Sequence, residues 1–180
     1  MVRKLKHHEQ KLLKKVDFID WKDNNLQENK ILARFSIKKR EEYTYYNKLS
    51  RELRELAQKI KNMKDANPNK NIFARRLIGK LYDMGLIPTA DTLERVNDVS
   101  ASSFCRRRLP SMMMTVGLMT NIRQSVQMVE EGHVRVGQTL ITDPAYLVTR
   151  ELSDLITWAP GSKVLQHVRR YNGELDDYEC

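Results

Sequence analysis

The spacing of apolar residues between Leu109 and Trp158 changes from a helical period to alternation, and this change constrains the fold more than any other feature. Two short helices are predicted first, one ended by Gly117 and the next capped by Asn121 and closed by Gly132. Ser102 and Ser103 are the predicted N-caps ahead of them. Their apolar stripes are Leu109, Met112, Met113 and Val116, and then Ile122, Val126 and Val129. Helices this short cannot bury such stripes alone, so the following segment must cover them.

That following segment has the pattern of short strands. Residues 133–136, HVRV, alternate polar and apolar side chains, and Gly137-Gln138 predicts a two-residue hairpin loop of type II′. Residues 139–142 form the returning strand, and residues 145–148 and 155–158 predict a third and a fourth. Residues 104–158 therefore predict two helices packed on a small curled β-sheet.

The segment before this module is predicted to be mostly helical. A long helix from residue 41 to 63 is followed by a break at Asn67-Pro68-Asn69, a second helix ended by Gly85, and a connector with a helical turn at 91–99. Internal core is the favoured interpretation of the first stripe, and a groove for a partner helix is the alternative. The predicted fold class is α+β. The two stripes are Leu49, Leu53, Leu56, Ile60 and Met63, and Phe73, Leu77, Leu81 and Met84.

The positive charge of the chain is concentrated near its beginning. The 180 residues carry a net charge of +9; residues 1–62 hold 17 basic and 9 acidic side chains, whereas residues 173–180 hold four acidic and no basic ones. This gradient favours a polyanionic partner, although a solvated basic surface, an acidic protein partner or an anionic membrane face would give the same statistic.

Several classes of protein are excluded by simple counts. No apolar run approaches the roughly 20 residues of a membrane-spanning helix, and Lys11, Lys14 and Lys15 interrupt the apolar stretch that a signal peptide needs. The two cysteines, Cys105 and Cys180, cannot build a disulfide framework or a zinc site, which suits a reducing compartment. No metal site and no cofactor are predicted.

Catalytic sequence motifs are missing too. The chain has no G-x-S-x-G, no H-E-x-x-H, no P-loop and no G-x-G-x-x-G after a strand. The missing motifs favour a binding protein, and an enzyme stays the alternative because catalytic groups are often far apart in sequence.

Arginines are the best candidates for ligand contact. Arg106, Arg107 and Arg108 open a predicted helix, where successive side chains point about 100° apart, so they are not expected all to be buried. Their guanidinium groups match phosphate oxygens in pairs. His133 and Arg135 share the solvent face of the first strand, and Arg123 lies on the exposed face of the second helix. The alternative is a run of solubilising arginines.

Three stretches, RRRLPSMMMTVGL, SVQMVEEGHVRVG and ITDPAYLV, resemble the RNA-binding module of the small-subunit ribosomal protein four family. The helical stretches EYTYYNKLSRELRELAQKI and ARRLIGKLYDMGLI resemble the region that precedes this module in the ribosomal member. The first residues, MVRKLKHHEQKLLKKVDF, and the short acidic end, YNGELDDYEC, resemble the ribosome-assembly branch of the family, which belongs to the U3 small nucleolar ribonucleoprotein.

The resemblance implies a non-catalytic RNA-binding assembly factor of the small-subunit processome, located in the nucleus and nucleolus. Such a factor promotes pairing of U3 small nucleolar RNA with precursor ribosomal RNA, so that cleavages releasing the 18S region occur. Its implied partners are these two RNAs, an M-phase phosphoprotein scaffold, a Brix-type Imp protein and other processome components, with no membrane. The alternatives are a structural small-subunit ribosomal protein of the same family, and an enzyme that uses the module for docking.

The resemblance also assigns residues and boundaries. RNA contact is expected from Arg106, Arg107, Arg108, Arg123, His133, Arg135 and Gln138. An RNA-binding extension is expected from Arg3, Lys4, Lys6, Lys11, Lys14 and Lys15. The predicted parts are a basic extension (1–40), a helical region (41–103), the RNA-binding module (104–172) and an acidic tail (173–180). The family often has asparagine where this chain has Gly137-Gln138, which changes the backbone contact expected at that turn.

Overall fold

The computed structural model describes residues 3–15, 25–64 and 67–174. The chain divides into two units, residues 1–31 and residues 32–180. Two helices begin in the first unit, α1 (His7–Lys15) and α2 (Asn25–Arg34). Residues 175–180 of the predicted acidic tail lie outside the described residues. No helix in the described ranges has the length and apolar character needed to cross a membrane.

The long helices of the second unit follow the sequence prediction. Helix α3 (Arg40–Lys61) and helix α4 (Asn69–Asp83) are separated by the predicted break, and a 3₁₀ helix (Leu93–Asp98) forms the helical turn of the connector. Helix α4 ends as predicted, because Gly85 has a φ of +72° and the amide of Leu86 donates to the carbonyl oxygen of Leu81 at 3.0 Å.

The buried face of α3 differs from the predicted stripe. Ala57 and Ile60 are buried, whereas Leu56 is 45% exposed and Leu49 and Leu53 are half-buried. The buried stripe is completed by Tyr43, Tyr46 and Ser50. Two members of this face, Ser50 and Ala57, are small, and α3 packs closely against α4, the 3₁₀ helix and the helix that follows the 3₁₀ helix.

The two helices of the predicted module form, preceded by a third. Helix α5 (Ala101–Arg106) begins after Ser100, whose amide donates to Ser103 Oγ at 3.3 Å, so the prediction of Ser102 or Ser103 as N-cap is wrong. Helix α6 (Leu109–Val116) ends at Gly117, and helix α7 (Ile122–Glu130) begins at Asn121, whose side chain accepts from Arg123 N at 3.0 Å. Both of these end signals are confirmed.

Within the described ranges three strands, fewer than predicted, form one antiparallel sheet. Its order is β2 (Thr139–Leu140), β1 (Val134–Val136) and β3 (Ile156–Trp158). The two-residue loop at Gly137-Gln138 is confirmed by the pairing of Val136 with Thr139. The predicted strand at 145–148 is wrong, because this segment bonds instead to the backbone of residues 107–109. Helices α8 (Arg150–Ser153) and α9 (Lys163–Asn172) were not predicted.

One apolar core holds the module together. The apolar faces of α6 and α7 meet those of β1 and β3, and the most buried members are Leu109, Met113, Val129, Val134 and Val148. Each of these side chains is at most 1% exposed, and burying one stabilises the fold by about 1.5–3 kcal/mol. Two helices on a small sheet, following a helical region, confirm the predicted α+β class.

Candidate nucleic-acid interface

The three consecutive arginines do not lie on one helix. Helix α5 ends at Arg106 and helix α6 begins at Leu109, so Arg107 and Arg108 occupy the non-helical junction between them. Their side chains have different degrees of burial: Arg106 is exposed, Arg107 is half-buried and Arg108 is buried. The expectation that the three side chains are not all buried is therefore met by Arg106, which is the one of the three that is freely available to a phosphate group.

Arg108 forms an ion pair inside the protein. Its side chain is 3% exposed, and Nη1 donates to Glu42 Oε2 at 2.5 Å. The same nitrogen donates to the Tyr46 hydroxyl oxygen at 3.5 Å. Removing a guanidinium group from water requires this compensation, and with it Arg108 fixes the module against α3. Local spacing gave no sign of the pair, because Glu42 lies 66 positions earlier.

The environment of Arg108 is a polar cluster within an apolar layer. The ring of Tyr46 stacks on that of Phe104 with centroids 5.6 Å apart. Burial raises the pKa of Tyr46, and the nearby Arg108 guanidinium opposes this shift. Burial likewise raises the pKa of the Cys105 thiol to about 11, again opposed by Arg108. The thiol is therefore neutral and unreactive at ordinary pH, and it packs as a small apolar group.

Arg107 is bound to the segment that follows the hairpin. Its Nε and Nη2 donate to the carbonyl oxygen of Val148 at 2.9 and 2.6 Å, and Nη2 donates to Ser153 Oγ at 2.9 Å. Burial lowers the pKa of Arg107, and the charge of Arg150 lowers it further. Arg107 therefore holds the chain in place, and its main donors are not free to bind RNA.

Arg150 is a structural arginine that sequence reasoning missed. It donates from Nε to the carbonyl oxygen of Tyr82 and from Nη2 to that of Ile87, each at 2.7 Å, and its guanidinium carbon lies 4.1 Å from the centroid of the Tyr82 ring. Carbonyl oxygens at the end of a helix attract cations, and α4 ends at this point. The sequence around residue 150 carries no signal for it, because the acceptors are backbone atoms of a distant element.

Four of the predicted contact residues keep solvent-facing polar groups. Arg106, Arg123 and Gln138 are exposed. Arg135 is half-buried on the outer face of the sheet, where its Nε donates to Thr157 Oγ1 of the neighbouring strand at 2.9 Å. Its terminal nitrogens have no hydrogen-bond partner among the described residues. Arg106 and α7 are brought together, since Arg106 and Ile122 line the same surface cleft.

His133 connects the sheet to helix α9 and is not a free stacking surface. Its Nδ1 lies 3.0 Å from Ser162 Oγ, and its Nε2 lies 3.4 Å from a carboxylate oxygen of Glu131. This order of serine, histidine and carboxylate resembles a catalytic triad. Ser162, however, is only 4% exposed and accepts from the amide of Val164 at 3.2 Å, so it is the N-cap of α9.

The basic extension is described only in part. Lys4, Lys6 and Lys11 are exposed, and Arg3 pairs with Glu9 at 2.6 Å between Nη2 and Oε1. The side chains of Lys14 and Lys15 lie outside the described part of the structure. Within the described residues, no group of three or more histidine, cysteine or acidic side chains is placed to hold a metal ion.

Comparison with known proteins matches residues 4–154 to two recognised families. Residues 4–106 match the family described as ribosomal protein S4/S9 N-terminal domain, and residues 107–154 match the S4 domain. The chain is 50% identical to the U3 small nucleolar ribonucleoprotein protein IMP3 of Mus musculus, with 99% of this chain and 98% of the mouse protein covered.

More distant relatives belong to both branches. The Saccharomyces cerevisiae protein of the same name is 42% identical, with 99% of each chain covered. The small ribosomal subunit protein uS4 of Sulfurisphaera tokodaii is 28% identical over 86% of this chain and 87% of its own. Identity is therefore higher to the ribonucleoprotein branch than to this ribosomal protein.

Proposed function

Because this chain belongs to the IMP3 family of U3 small nucleolar ribonucleoprotein proteins, we propose that it is a non-catalytic RNA-binding factor of small-subunit ribosome assembly. In this role it promotes pairing of U3 small nucleolar RNA with precursor ribosomal RNA during 18S processing. The observation that carries the proposal is the full-length identity of 42–50% to proteins named for the U3 particle. The proposed location is the nucleolus.

The physical basis of such a function is charge neutralisation on a rigid support. Two RNA strands repel each other, and a protein that contacts the phosphates of both releases counterions and lowers the barrier to pairing. The net charge of +9 supports this mechanism. Folded RNA is recognised largely by shape and backbone, which requires cations held at fixed positions and not a base-reading helix.

The proposed contact residues are those with solvent-facing groups. Arg106, Arg123, Arg135 and Gln138 are assigned to direct contact. Arg107, Arg108 and His133 are assigned a different role, since each is bonded to other parts of the protein. They hold the two helices and the sheet in the arrangement that presents the exposed residues. The lysines of the extension enlarge the contact area.

An annealing assay tests this proposal directly. Two short fluorescently labelled RNAs, one from U3 RNA and one from its complementary precursor segment, are mixed with the full chain, and the rate of pairing is followed by energy transfer. We expect the triple variant Arg106→Glu, Arg123→Glu, Arg135→Glu to pair them about tenfold more slowly than the unmodified chain, because it reverses three phosphate contacts.

The matched control reverses the same number of charges elsewhere. Arg75, Arg76 and Lys80 lie exposed on α4, and their replacement by glutamate should slow pairing much less. Circular dichroism establishes that both variants are folded. Equal pairing rates for the two variants would show that net charge alone matters and would contradict the assigned residues. Failure of the unmodified chain to bind or pair these RNAs would contradict the proposed function.

Sedimentation of cell extracts separates this function from that of a structural ribosomal protein. An assembly factor should sediment with large precursor particles that contain U3 RNA, together with the M-phase phosphoprotein scaffold and the Brix-type Imp protein that we propose as partners. A ribosomal protein would instead be found in polysomes. Incubation of the purified chain with precursor RNA should leave the RNA unmodified and uncleaved if the protein is not an enzyme.

A further inference from the structure

A surface cleft of about 380 Å³ lies between the end of α2 and the helices of the module. Its apolar lining comes from Phe35, Met114 and Ile122, and two exposed arginines, Arg34 and Arg106, border it. The lining is completed by the hydroxyl-bearing residues Ser111 and Thr115. This volume lies within the range of pockets that hold small organic groups.

The charge of the cleft is positive and not compensated by its lining. None of the described residues that line it is acidic. In the described ranges Arg106 has no hydrogen-bond or ion-pair partner, and Arg34 makes only a contact with the face of the Phe35 ring, 5.7 Å from its centroid. Two guanidinium groups beside an apolar surface form a site for a group that is both anionic and apolar.

The backbone that positions Phe35 is in an unusual conformation. Ser36 has a φ of 49°, the left-handed region that favours glycine, and the amide of Ile37 donates to the carbonyl oxygen of Leu32 at 3.0 Å. This turn ends α2 with Phe35 8% exposed and Arg34 exposed. A non-glycine residue in this region is strained, and such strain is concentrated at functional sites.

The hydroxyl groups of the cleft offer acceptors. Ser111 Oγ donates to the carbonyl oxygen of Cys105 at 2.9 Å, and Thr115 Oγ1 donates to that of Ser111 at 3.1 Å. Each oxygen has used its proton and keeps lone pairs. The lining therefore suits a flat apolar group that carries N–H donors at its edge.

We propose that this cleft binds one unpaired nucleotide of RNA, with the base against Met114 and Ile122 and the phosphate at Arg34 and Arg106. The inference rests on the proposed RNA-binding function and specifies which part of the RNA enters the protein. A nucleobase combines a flat apolar face with edge N–H groups, and its phosphate supplies the anion that the arginines require.

A peptide fits the same cleft less well. An extended peptide binds by adding a strand to a sheet edge, and this cleft is lined by helices and a helix end. A helical peptide needs a long apolar groove with several anchor positions, and the described part of the chain lines this cleft with three apolar side chains. Because two arginines border the cleft, an acidic peptide is the alternative ligand, and the experiment must be able to detect it.

Two matched RNA hairpins test the proposal with the full chain. One carries a single bulged 2-aminopurine, and the other is fully paired. The unmodified chain should bind the bulged hairpin about tenfold more tightly, since burial of one base face on apolar side chains together with a phosphate–guanidinium contact is worth about that factor, and the fluorescence of the bulged base should change. Thr115→Trp, which fills the cleft without changing charge, should remove this preference and leave affinity for the paired hairpin unchanged.

Charge variants and crosslinking complete the experiment. The pair Arg34→Gln, Arg106→Gln should weaken binding of the bulged hairpin more than Arg75→Gln, Arg76→Gln, which removes two exposed charges from α4. A 4-thiouridine placed at the bulge should crosslink to peptides that contain Phe35 or Met114. Circular dichroism confirms that each variant is folded.

The possible results distinguish this inference from the proposed function. If the unmodified chain binds both hairpins equally, or Thr115→Trp keeps the preference, the nucleotide site is wrong while RNA binding stands. If Thr115→Trp binds both RNAs normally and instead loses the affinity of the unmodified chain for an acidic peptide, the cleft is a peptide site and the inference is overturned. If the unmodified chain binds neither RNA, the proposed function itself fails.

Discussion

Arg108 and Glu42 form a buried ion pair that joins the start of α6 to α3, with Arg108 Nη1 2.5 Å from Glu42 Oε2. The arginine side chain is 3% exposed and the glutamate side chain 23%, so the two partners differ in their access to water. Removal of either partner leaves the other charge unpaired. Of the two, the partly exposed Glu42 carboxylate can be hydrated by solvent water, whereas the Arg108 guanidinium group cannot. The pair therefore ties the geometry of the RNA-binding module to the helical region before it.

We expect Glu42→Gln to be more destabilising than Arg108→Met. The first change leaves the buried guanidinium group without a counter-charge and should lower the free energy of unfolding by about 3 kcal/mol. The second leaves a carboxylate that can turn toward water, and its cost should be smaller. Urea denaturation measures both, with Arg106→Met as the exposed control. A larger loss for Arg108→Met, or no loss for either, would contradict the buried pair as described.

Gly85 and Arg107 are in close contact, and a substitution at Gly85 measures how much free energy of unfolding depends on the space between them. A Cβ at Gly85 would lie 2.8 Å from Arg107 Cζ, and the φ of +72° is unfavourable for alanine. Gly85→Ala should therefore cost about 3 kcal/mol, of which roughly 1–2 kcal/mol is backbone strain and the rest is displacement of the Arg107 hydrogen bonds. Urea denaturation provides the measurement.

Gly117 is the matched control for this prediction. Its φ of +83° is similar, but an added Cβ would meet no atom within 4 Å. Gly117→Ala should cost only the backbone strain of roughly 1–2 kcal/mol. In an Arg107→Ala background the cost of Gly85→Ala should fall to the same value. Equal costs for the two alanines in the unmodified chain would mean that Arg107 moves aside freely.

The sequence predicted helix ends better than buried faces. The ends at Gly85, Gly117 and Asn121 were predicted correctly, because a left-handed residue or a side-chain cap is a local requirement. The buried face of α3 was predicted only in part, since the spacing of large apolar side chains identified Ile60 but neither Ala57 nor Ser50. Ala57 lies on the buried face, where neighbouring helices pack closely, whereas Leu56 is 45% exposed.

The roles of the arginines could be predicted only in part. Arg106 is exposed as expected, because it ends a short helix at the surface. Arg107 and Arg108 bind Val148 and Glu42, which lie 41 and 66 positions away, and nothing in the local sequence marks those partners. The assignment of RNA contacts and of the domain boundaries stays a prediction.

Cys105 should make the stability of the protein depend on pH in the alkaline range. Burial raises the pKa of its thiol from 9.0 to about 11, so the folded protein holds the proton more tightly than the unfolded chain. The stabilisation is complete below about pH 9 and is lost as the pH rises through about 11, by up to about 3 kcal/mol. Denaturation at a series of pH values should show this decline.

Two comparisons test the assignment to Cys105. Cys105→Ala should reduce the decline in the free energy of unfolding between pH 9 and 11. The smaller decline that is left should come from Tyr46, whose pKa is also raised by burial. In a Cys180→Ser background, the remaining thiol should react with a thiol reagent slowly in the native state and fully in denaturant. Rapid native reaction would show that the thiol is accessible and that the burial argument fails.

Ser36 should be a site where glycine stabilises the fold. Its φ of 49° lies in the left-handed region, where a side chain destabilises the folded state by roughly 1–2 kcal/mol. Glycine removes this strain, but part of the gain in stability is lost because glycine gives the unfolded chain more conformational freedom. Ser36→Gly should therefore raise the free energy of unfolding by up to about 1 kcal/mol, measured by urea denaturation. Ser36→Ala removes only the hydroxyl group and should not stabilise. A gain from alanine equal to that from glycine would show that the hydroxyl, and not the backbone, is the source of the strain.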